Sequence, residues 1–171
     1  MRTGLALMPR SSRMLKPVLT AAGAALLVAM LGGTMTDTGP WYQSLAKPSW
    51  QPPDWAFAPA WTIIFALAAA SAAIGWREAP DRPTREWLVG LFALNGFLNV
   101  AWSLLFFQLR RPDWALVEVV LLWGSILVLV GLLRRFSWSA ARLLLPYLAW
   151  VTFAAVLNLA VVQLNPSFGG S

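Results

Sequence analysis

The sequence predicts an all-α membrane protein built as a bundle of five transmembrane helices, and three observations carry that expectation. Of its 171 residues, 58% are hydrophobic and only 12% charged, far from the balance of a soluble domain. The apolar residues fall into five blocks, roughly 17–36, 57–76, 87–109, 115–133 and 143–164. Each is close to the ~20 residues that a helix needs to cross a hydrocarbon core about 30 Å thick, and lipid leaves unpaired backbone groups no partner, so the spans are helical. Third, basic residues gather at the ends of the blocks: ten of the 13 Lys and Arg lie on the side of the N-terminus and three on the other. That bias predicts a cytoplasmic N-terminus and a C-terminus outside, in a bacterial cell membrane. It also argues against nucleic acid as the partner behind the net charge of +6.

One membrane domain is expected over residues 17–166, preceded by a basic N-terminal extension (1–16) and followed by a short tail (167–171). The opening residues resemble a secretory signal, but LGGTMTDTG holds no A-x-A-like cleavage site, and removal would reverse the alternation of charge. A retained first helix is therefore expected. Ala21, Ala25, Ala29 and Gly33 recur along it every four residues, a small-residue stripe that suits close helix approach within the bundle or between subunits.

Between the first two blocks, residues 41–61 (WYQSLAKPSWQPPDWAFAPAW) hold four tryptophans and four prolines. Prolines fix φ and remove donors, while indoles offer flat apolar faces with one N–H each, so this stretch reads as a stiff aromatic connector. It serves either as an interfacial anchor or as a lid over a cavity for a flat ligand. Asp54, after Pro52 and Pro53, is the expected N-cap of the second helix. Trp61 lies deeper and suits helix packing or ligand contact equally. The following ALAAASAAIGW is small enough for close packing, and the loop REAPDRPTRE reads as solvated, without chemistry.

The third helix places Asn95, Asn99 and Trp102 on one face with Ser103 beside them. Amides at membrane depth require partners, so this face looks into the bundle, toward neighbouring helices or a ligand. RRPD makes the third and fourth helices antiparallel neighbours, with Trp114 at the interface. Glu118 is the one carboxylate inside a predicted block; it marks a functional site or reaches water. In the fifth helix Tyr147, Trp150, Ala154 and Asn158 share a face that combines a phenol, an indole, a gap and an amide, a mixture suited to a planar amphipathic molecule.

The chain contains neither cysteine nor histidine. This excludes disulfides, thiolate nucleophiles, His-ligated haem, Cys/His zinc sites and Ser-His-Asp catalysis. No metal site and no covalently bound cofactor are expected, and the chain carries no constellation of a conventional enzyme.

Four strings, WYQSLAKPSWQPPDWAFAPAWTIIF, LNVAWSLLFF, PDWALVEVVLLW and PYLAWVTFAAVLNLAVVQLN, resemble the TspO/MBR family, the tryptophan-rich sensory proteins related to the mitochondrial translocator protein. KPxWxPPxW is the most specific of these patterns. The resemblance implies a five-helix bundle, commonly a homodimer, whose first long loop closes a pocket for a tetrapyrrole such as porphyrin or haem, with membrane lipid or sterol as a further partner. The pocket residues it implies are Trp41, Tyr42, Trp61, Asn99, Trp102, Trp114, Tyr147, Trp150 and Ala154. Some relatives degrade porphyrin in light, which assigns Trp61 and Trp150, on opposite walls, to photo-oxidation. Some are placed in an outer membrane, where the charge rule does not apply.

The chain also departs from the family. Its fifth helix ends VLNLAVVQLN, without the aromatic and basic residues of the animal sterol motif, although Arg142, Tyr147 and Val151 fit the reversed pattern. Phe65 stands where many relatives carry tyrosine. Two other functions fit the residues alone: a proton-coupled transporter using Glu118, or an assembly or signalling partner acting through its small-residue stripes.

Overall fold

A computed structural model describes residues 10–166. The first nine residues of the basic extension and the tail 167–171 lie outside the described residues. Seven α-helices occur in that range: α1 (Arg10–Met35), α2 (Pro40–Ser44), α3 (Phe57–Glu78), α4 (Arg82–Ser103), α5 (Pro112–Leu133), α6 (Trp138–Leu143) and α7 (Leu145–Leu164). Asp54–Ala56 forms a single 3₁₀ turn ahead of α3, and Leu104–Gln108 a π-helical turn after α4. Five segments are long and apolar enough to cross a membrane: Leu15–Met35, Asp54–Glu78, Arg82–Gln108, Pro112–Leu133 and Trp138–Leu164. The fold is thus the expected all-α bundle of an integral, multi-pass membrane protein.

The elements run past the apolar blocks at several ends. Helix α1 is already formed at Arg10, the first described residue, and carries Pro17 inside it. Hydropathy marks only what must lie in hydrocarbon, and the polar turns beyond it remain helical where headgroups and water solvate them. Much of the loop after the second span is likewise helix: Asp81 caps α4, its Oδ1 accepting from the Thr84 N–H at 2.8 Å, and Pro83 fits the first turn, where no N–H is needed. The Thr84 hydroxyl and backbone N–H, both directed at this carboxylate, hold the Asp81 pKa below its ordinary value. The fifth span is two helices, α6 and α7, joined at Leu144.

Helices α3 to α7 enclose the core. Ile64, Leu88, Leu122, Ile126, Leu129 and Leu133 pack there with Tyr147 and Val151. Gly75 sets the closest approach: a Cβ on it would lie 2.6 Å from Leu133 Cδ2 and 3.0 Å from Leu88 Cδ2. Ser71, fully buried, donates to the Ala140 carbonyl at 2.9 Å and ties α3 to α6.

Helix α1 behaves differently. It leans on α3 and α4 yet contributes no buried hydrophobic side chain among the described residues. At Gly96 of α4 the approach is tight: a Cβ there would come within 2.8 Å of Val28 Cγ2. The small-residue stripe borders two cavities. Ala25, Ala29 and Gly33 line one cavity, and Ala21 and Ala25 a second. Small side chains on this face leave space where larger ones would fill it.

Candidate ligand-binding site

The larger cavity, about 820 Å³, is bounded by α1, α3, α4, the π turn, α7 and the connector after α1. Pockets for drug-sized ligands span roughly 300–1,000 Å³. Its wall is aromatic. Trp61 stacks on Phe65 (5.3 Å between centroids, 25°) and meets Trp150 edge to face (6.4 Å, 84°). Phe57 stands edge to face with Trp150 at 5.8 Å. Trp61 and Trp150 are therefore in contact on adjoining helices, not on opposite walls as the sequence suggested. The crossing of α3 and α7 sets this, because both residues face inward at the same depth.

Opposite them stands an aromatic group created by the π turn. Bonds from Leu109 N–H to Leu104 O and from Arg111 N–H to Leu105 O, both 2.9 Å, widen the backbone here, and Arg110 takes a φ of 53°. Phe106 and Phe107, consecutive in sequence, then both reach the cavity. Phe106 stacks on Trp102 at 5.2 Å and 28°, while Phe107 packs on Tyr42 at 5.6 Å. In a regular α-helix, neighbours in sequence point about 100° apart. These two phenylalanines were not singled out by sequence periodicity for that reason.

The lid is latched by polar groups. Tyr42 is buried, and its hydroxyl donates to Asp54 Oδ1 at 3.2 Å and accepts from Gln51 Nε2 at 3.2 Å. Gln43 Nε2 donates to Asp54 Oδ2 at 3.3 Å, and Lys47 Nζ lies 3.8 Å over the Tyr42 ring. Burial, reinforced by the nearby Asp54 charge, pushes the Tyr42 pKa up to about 12, so the phenol remains a donor across the physiological range. Asp54 thus spends its carboxylate on the lid instead of capping the second span, whose α-helical part starts at Phe57. At the far end, Ala46 exchanges two bonds with Asn165: its N–H donates to Oδ1 at 3.0 Å and its carbonyl accepts from Nδ2 at 2.9 Å.

Of the residues the sequence nominated, Tyr42, Trp61, Asn99, Trp102, Trp150 and Ala154 line this cavity together. Three do not. Trp41 stands one layer out, edge-on to Phe106 at 6.2 Å with the Arg110 guanidinium 5.7 Å over its ring. Trp114 is 52% exposed and lies under Arg111 at 4.3 Å. The buried face of α5 runs through Ala115, Glu118, Val119 and Leu122, which leaves Trp114 outside it. Tyr147 lines the second cavity and joins a buried network instead.

In that network the Tyr147 hydroxyl donates to Asn95 Oδ1 and accepts from Asn99 Nδ2, each at 3.2 Å, while Asn95 Nδ2 donates to Ser125 Oγ at 2.8 Å. Asn95 thus bonds between helices, and Asn99 both bonds to Tyr147 and faces the cavity. Asn158, with its amide turned to satisfy both neighbours, donates to the Pro112 carbonyl at 3.0 Å and accepts from the Leu116 N–H at 3.1 Å, so it braces the first turn of α5. The Trp102 Nε1–H is buried without a protein acceptor, a donor held ready beside the cavity. Ser103 and Asn158, placed on inward faces by the sequence, also line the cavity; Gln51, Phe57, Phe106 and Phe107 join it without a sequence signal, and Asp54 had been noted as a cap. No group of three or more acidic, His or Cys side chains with metal-binding proximity occurs among the described residues.

Comparison with known proteins agrees with this geometry. The TspO/MBR family profile matches residues 20–164. The chain is 42% identical to the tryptophan-rich protein TspO of Chlorobaculum tepidum over 88% of its own length and 99% of the relative's. It is 39% identical to the translocator protein of Sus scrofa (89% and 94% covered) and 35% identical to the protein CrtK of Rhodobacter capsulatus (78% and 84%). An aromatic cavity under a Trp- and Pro-rich lid, with family similarity across nearly every described element, establishes that the chain belongs to the TspO/MBR family.

Proposed function

We propose that this protein is a membrane receptor or sensor that binds a tetrapyrrole, porphyrin or haem, in the cavity beneath the lid. The observation that carries the reading is the cavity's composition: about 820 Å³, walled by indole and phenyl rings, with hydrogen-bonding side chains such as Asn99 and Ser103 beside them. A porphyrin is flat and apolar at its centre and anionic at its propionates. Stacking on Trp61, Trp102, Trp150 and Phe106 suits the macrocycle, and Trp102 Nε1, Asn99 and Ser103 suit its polar edge. Without His or Cys in the chain, the ring is held by stacking and edge hydrogen bonds rather than by axial ligation of iron.

The same geometry supports a secondary activity. Trp61 and Trp150 touch each other as well as the cavity, so an indole pair adjoins a bound photosensitiser; light and dioxygen would then drive porphyrin breakdown there. The reading further includes a homodimer in a bacterial cell membrane, N-terminus cytoplasmic, with sterol as a secondary lipid ligand. Protoporphyrin IX added to the purified protein is expected to quench tryptophan fluorescence saturably, with affinity weakened in Trp61→Phe/Trp150→Phe. Non-saturable quenching, identical in both proteins, would refute the proposal.

One observation favours a second reading, proton-coupled transport. Glu118 is 8% exposed, and neither carboxylate oxygen has a hydrogen-bond partner. On that reading proton-dependent flux in liposomes is lost in Glu118→Gln; absence of flux in the parent protein rejects it.

A further inference from the structure

The second cavity calls for a different occupant, and we propose that it binds an anionic phospholipid of the leaflet on the protein's N-terminal side. It measures about 660 Å³ and lies between α1, α3 and α4. Phe65, Ala25 and Ala69 belong to both cavities, so the Phe65 ring, stacked on Trp61, is the partition between them. Beyond that partition Ala21, Ala24, Ala68, Ala72 and Ala93 line the cavity together with Phe92, Trp76 and Tyr147. An apolar slot of this kind admits an acyl chain. From Lys16 at its mouth to Ala25 at the partition is about 14 Å along α1 at 1.5 Å per residue, the reach of a medium-length extended acyl chain. The rim residues Lys16, Thr20 and Val89 are exposed, so the lipid's second chain stays in the bilayer.

The mouth carries cationic groups that the protein leaves without ion pairs. Lys16 lines it directly. Trp76 lines it too, and the Arg85 guanidinium lies 5.7 Å over that indole. Arg85 Nε is buried with no acceptor. Among the described residues the ion pairs at this end are Arg77–Glu78 and Arg82–Glu86, and neither includes Lys16 or Arg85. Asp81, the other nearby carboxylate, accepts from the Thr84 N–H and lies close enough to Arg85 to feel its charge without forming an ion pair, and no acidic residue precedes Asp37 in the sequence. A lipid phosphodiester at headgroup level supplies a counter-charge for Lys16 and the nearby Arg85 guanidinium, while its chain fills the apolar slot.

The test uses the full-length protein reconstituted in vesicles of equal phosphatidylglycerol and phosphatidylcholine, then released for native mass spectrometry of retained lipid. Retention of phosphatidylglycerol in preference to phosphatidylcholine is expected. In Lys16→Gln/Arg85→Gln that preference should fall roughly thirtyfold, from about 1 kcal/mol per cation near an anionic headgroup. Ala72→Leu, or Ala24→Leu should the first fold poorly, obstructs the slot and should remove retained lipid of both kinds while leaving the helical circular-dichroism spectrum intact. Equal retention of the two lipids overturns the proposal, as does retention unaffected by the charge and slot variants. Preferential retention of free oleate over phospholipid, in vesicles containing both, overturns it as well.

Discussion

Opening the lid should be the step that limits ligand release, and Asp54 is where to perturb it. Its carboxylate takes three side-chain hydrogen bonds, from Tyr42 at 3.2 Å, Gln43 at 3.3 Å and Gln51 at 3.4 Å. All three are long, and two are exposed, so each is assigned about 0.5–0.7 kcal/mol, the low end for a net hydrogen bond. Asp54→Ala removes all of them and favours the open lid by about 1.5–2 kcal/mol. At 1.4 kcal/mol per decade, release should accelerate roughly ten- to thirtyfold. Tyr42→Phe removes one bond to Asp54 and one from Gln51, for an acceleration of about five- to tenfold. The two substitutions share an interaction, so the double variant should fall short of the product. Stopped-flow recovery of tryptophan fluorescence, after bound protoporphyrin IX is diluted into detergent, reads the rate. A release rate within twofold of the parent in Asp54→Ala, with binding retained, would show that the latch does not govern exit. Asn165→Ala, which breaks the separate tie to Ala46, serves as a test of whether the lid's other end acts independently.

Other expectations concern the bundle itself. Tyr147→Phe removes the hydroxyl joining Asn95 to Asn99 and should lower stability by about 1–2 kcal/mol, measured as a shift of the unfolding midpoint in denaturing detergent; no shift would mean the amides re-pair without it. Gly75→Val should destabilise by about 1–3 kcal/mol, because the new Cβ meets Leu133 and Leu88 inside contact distance; an unchanged thermal midpoint would contradict that packing. Titrating Tyr147→Phe by tyrosinate absorbance isolates Tyr42 and should give a midpoint near pH 12. Because that folded value exceeds the ordinary phenol value of 10.0, the stabilisation tied to neutral Tyr42 is complete below pH 10.0, and falls away between there and about pH 12. A midpoint at the ordinary value would place Tyr42 in solvent, with the lid open. Finally, Glu118→Met replaces a buried carboxylate lacking partners and should raise thermal stability, whereas a lower midpoint would reveal a partner that this carboxylate holds.

Much of this molecule follows from sequence because a membrane reduces the number of solutions. Hydrocarbon forces each apolar block into a helix, so the five spans were legible from block length alone, and the polar turns beyond them were not. The same constraint made the amide-bearing face of α4 an interior face before any partner was known: Asn95 finds Ser125 and Tyr147, and Asn99 finds Tyr147. Trp and Pro spacing identified the connector as a stiff aromatic element, and six nominated side chains do converge on one cavity.

What tertiary structure alone decided is depth, side and space. Whether Trp61 and Trp150 oppose or touch depends on how α3 crosses α7, and periodicity within either helix is silent on that. Trp114 keeps the right spacing yet faces outward, because the packed face of α5 is chosen by its neighbours. Phe106 and Phe107 join the wall through a π turn that breaks the helical period used to read the sequence. The stripe on α1 shows the same division: its small residues were evident as letters, but the same composition permits either close contact or a void. Here the stripe borders two cavities with Phe65 between them. Local sequence sets which faces are apolar and small; only the distances between helices, fixed by a few bulky contacts, determine whether such a face packs or encloses a site.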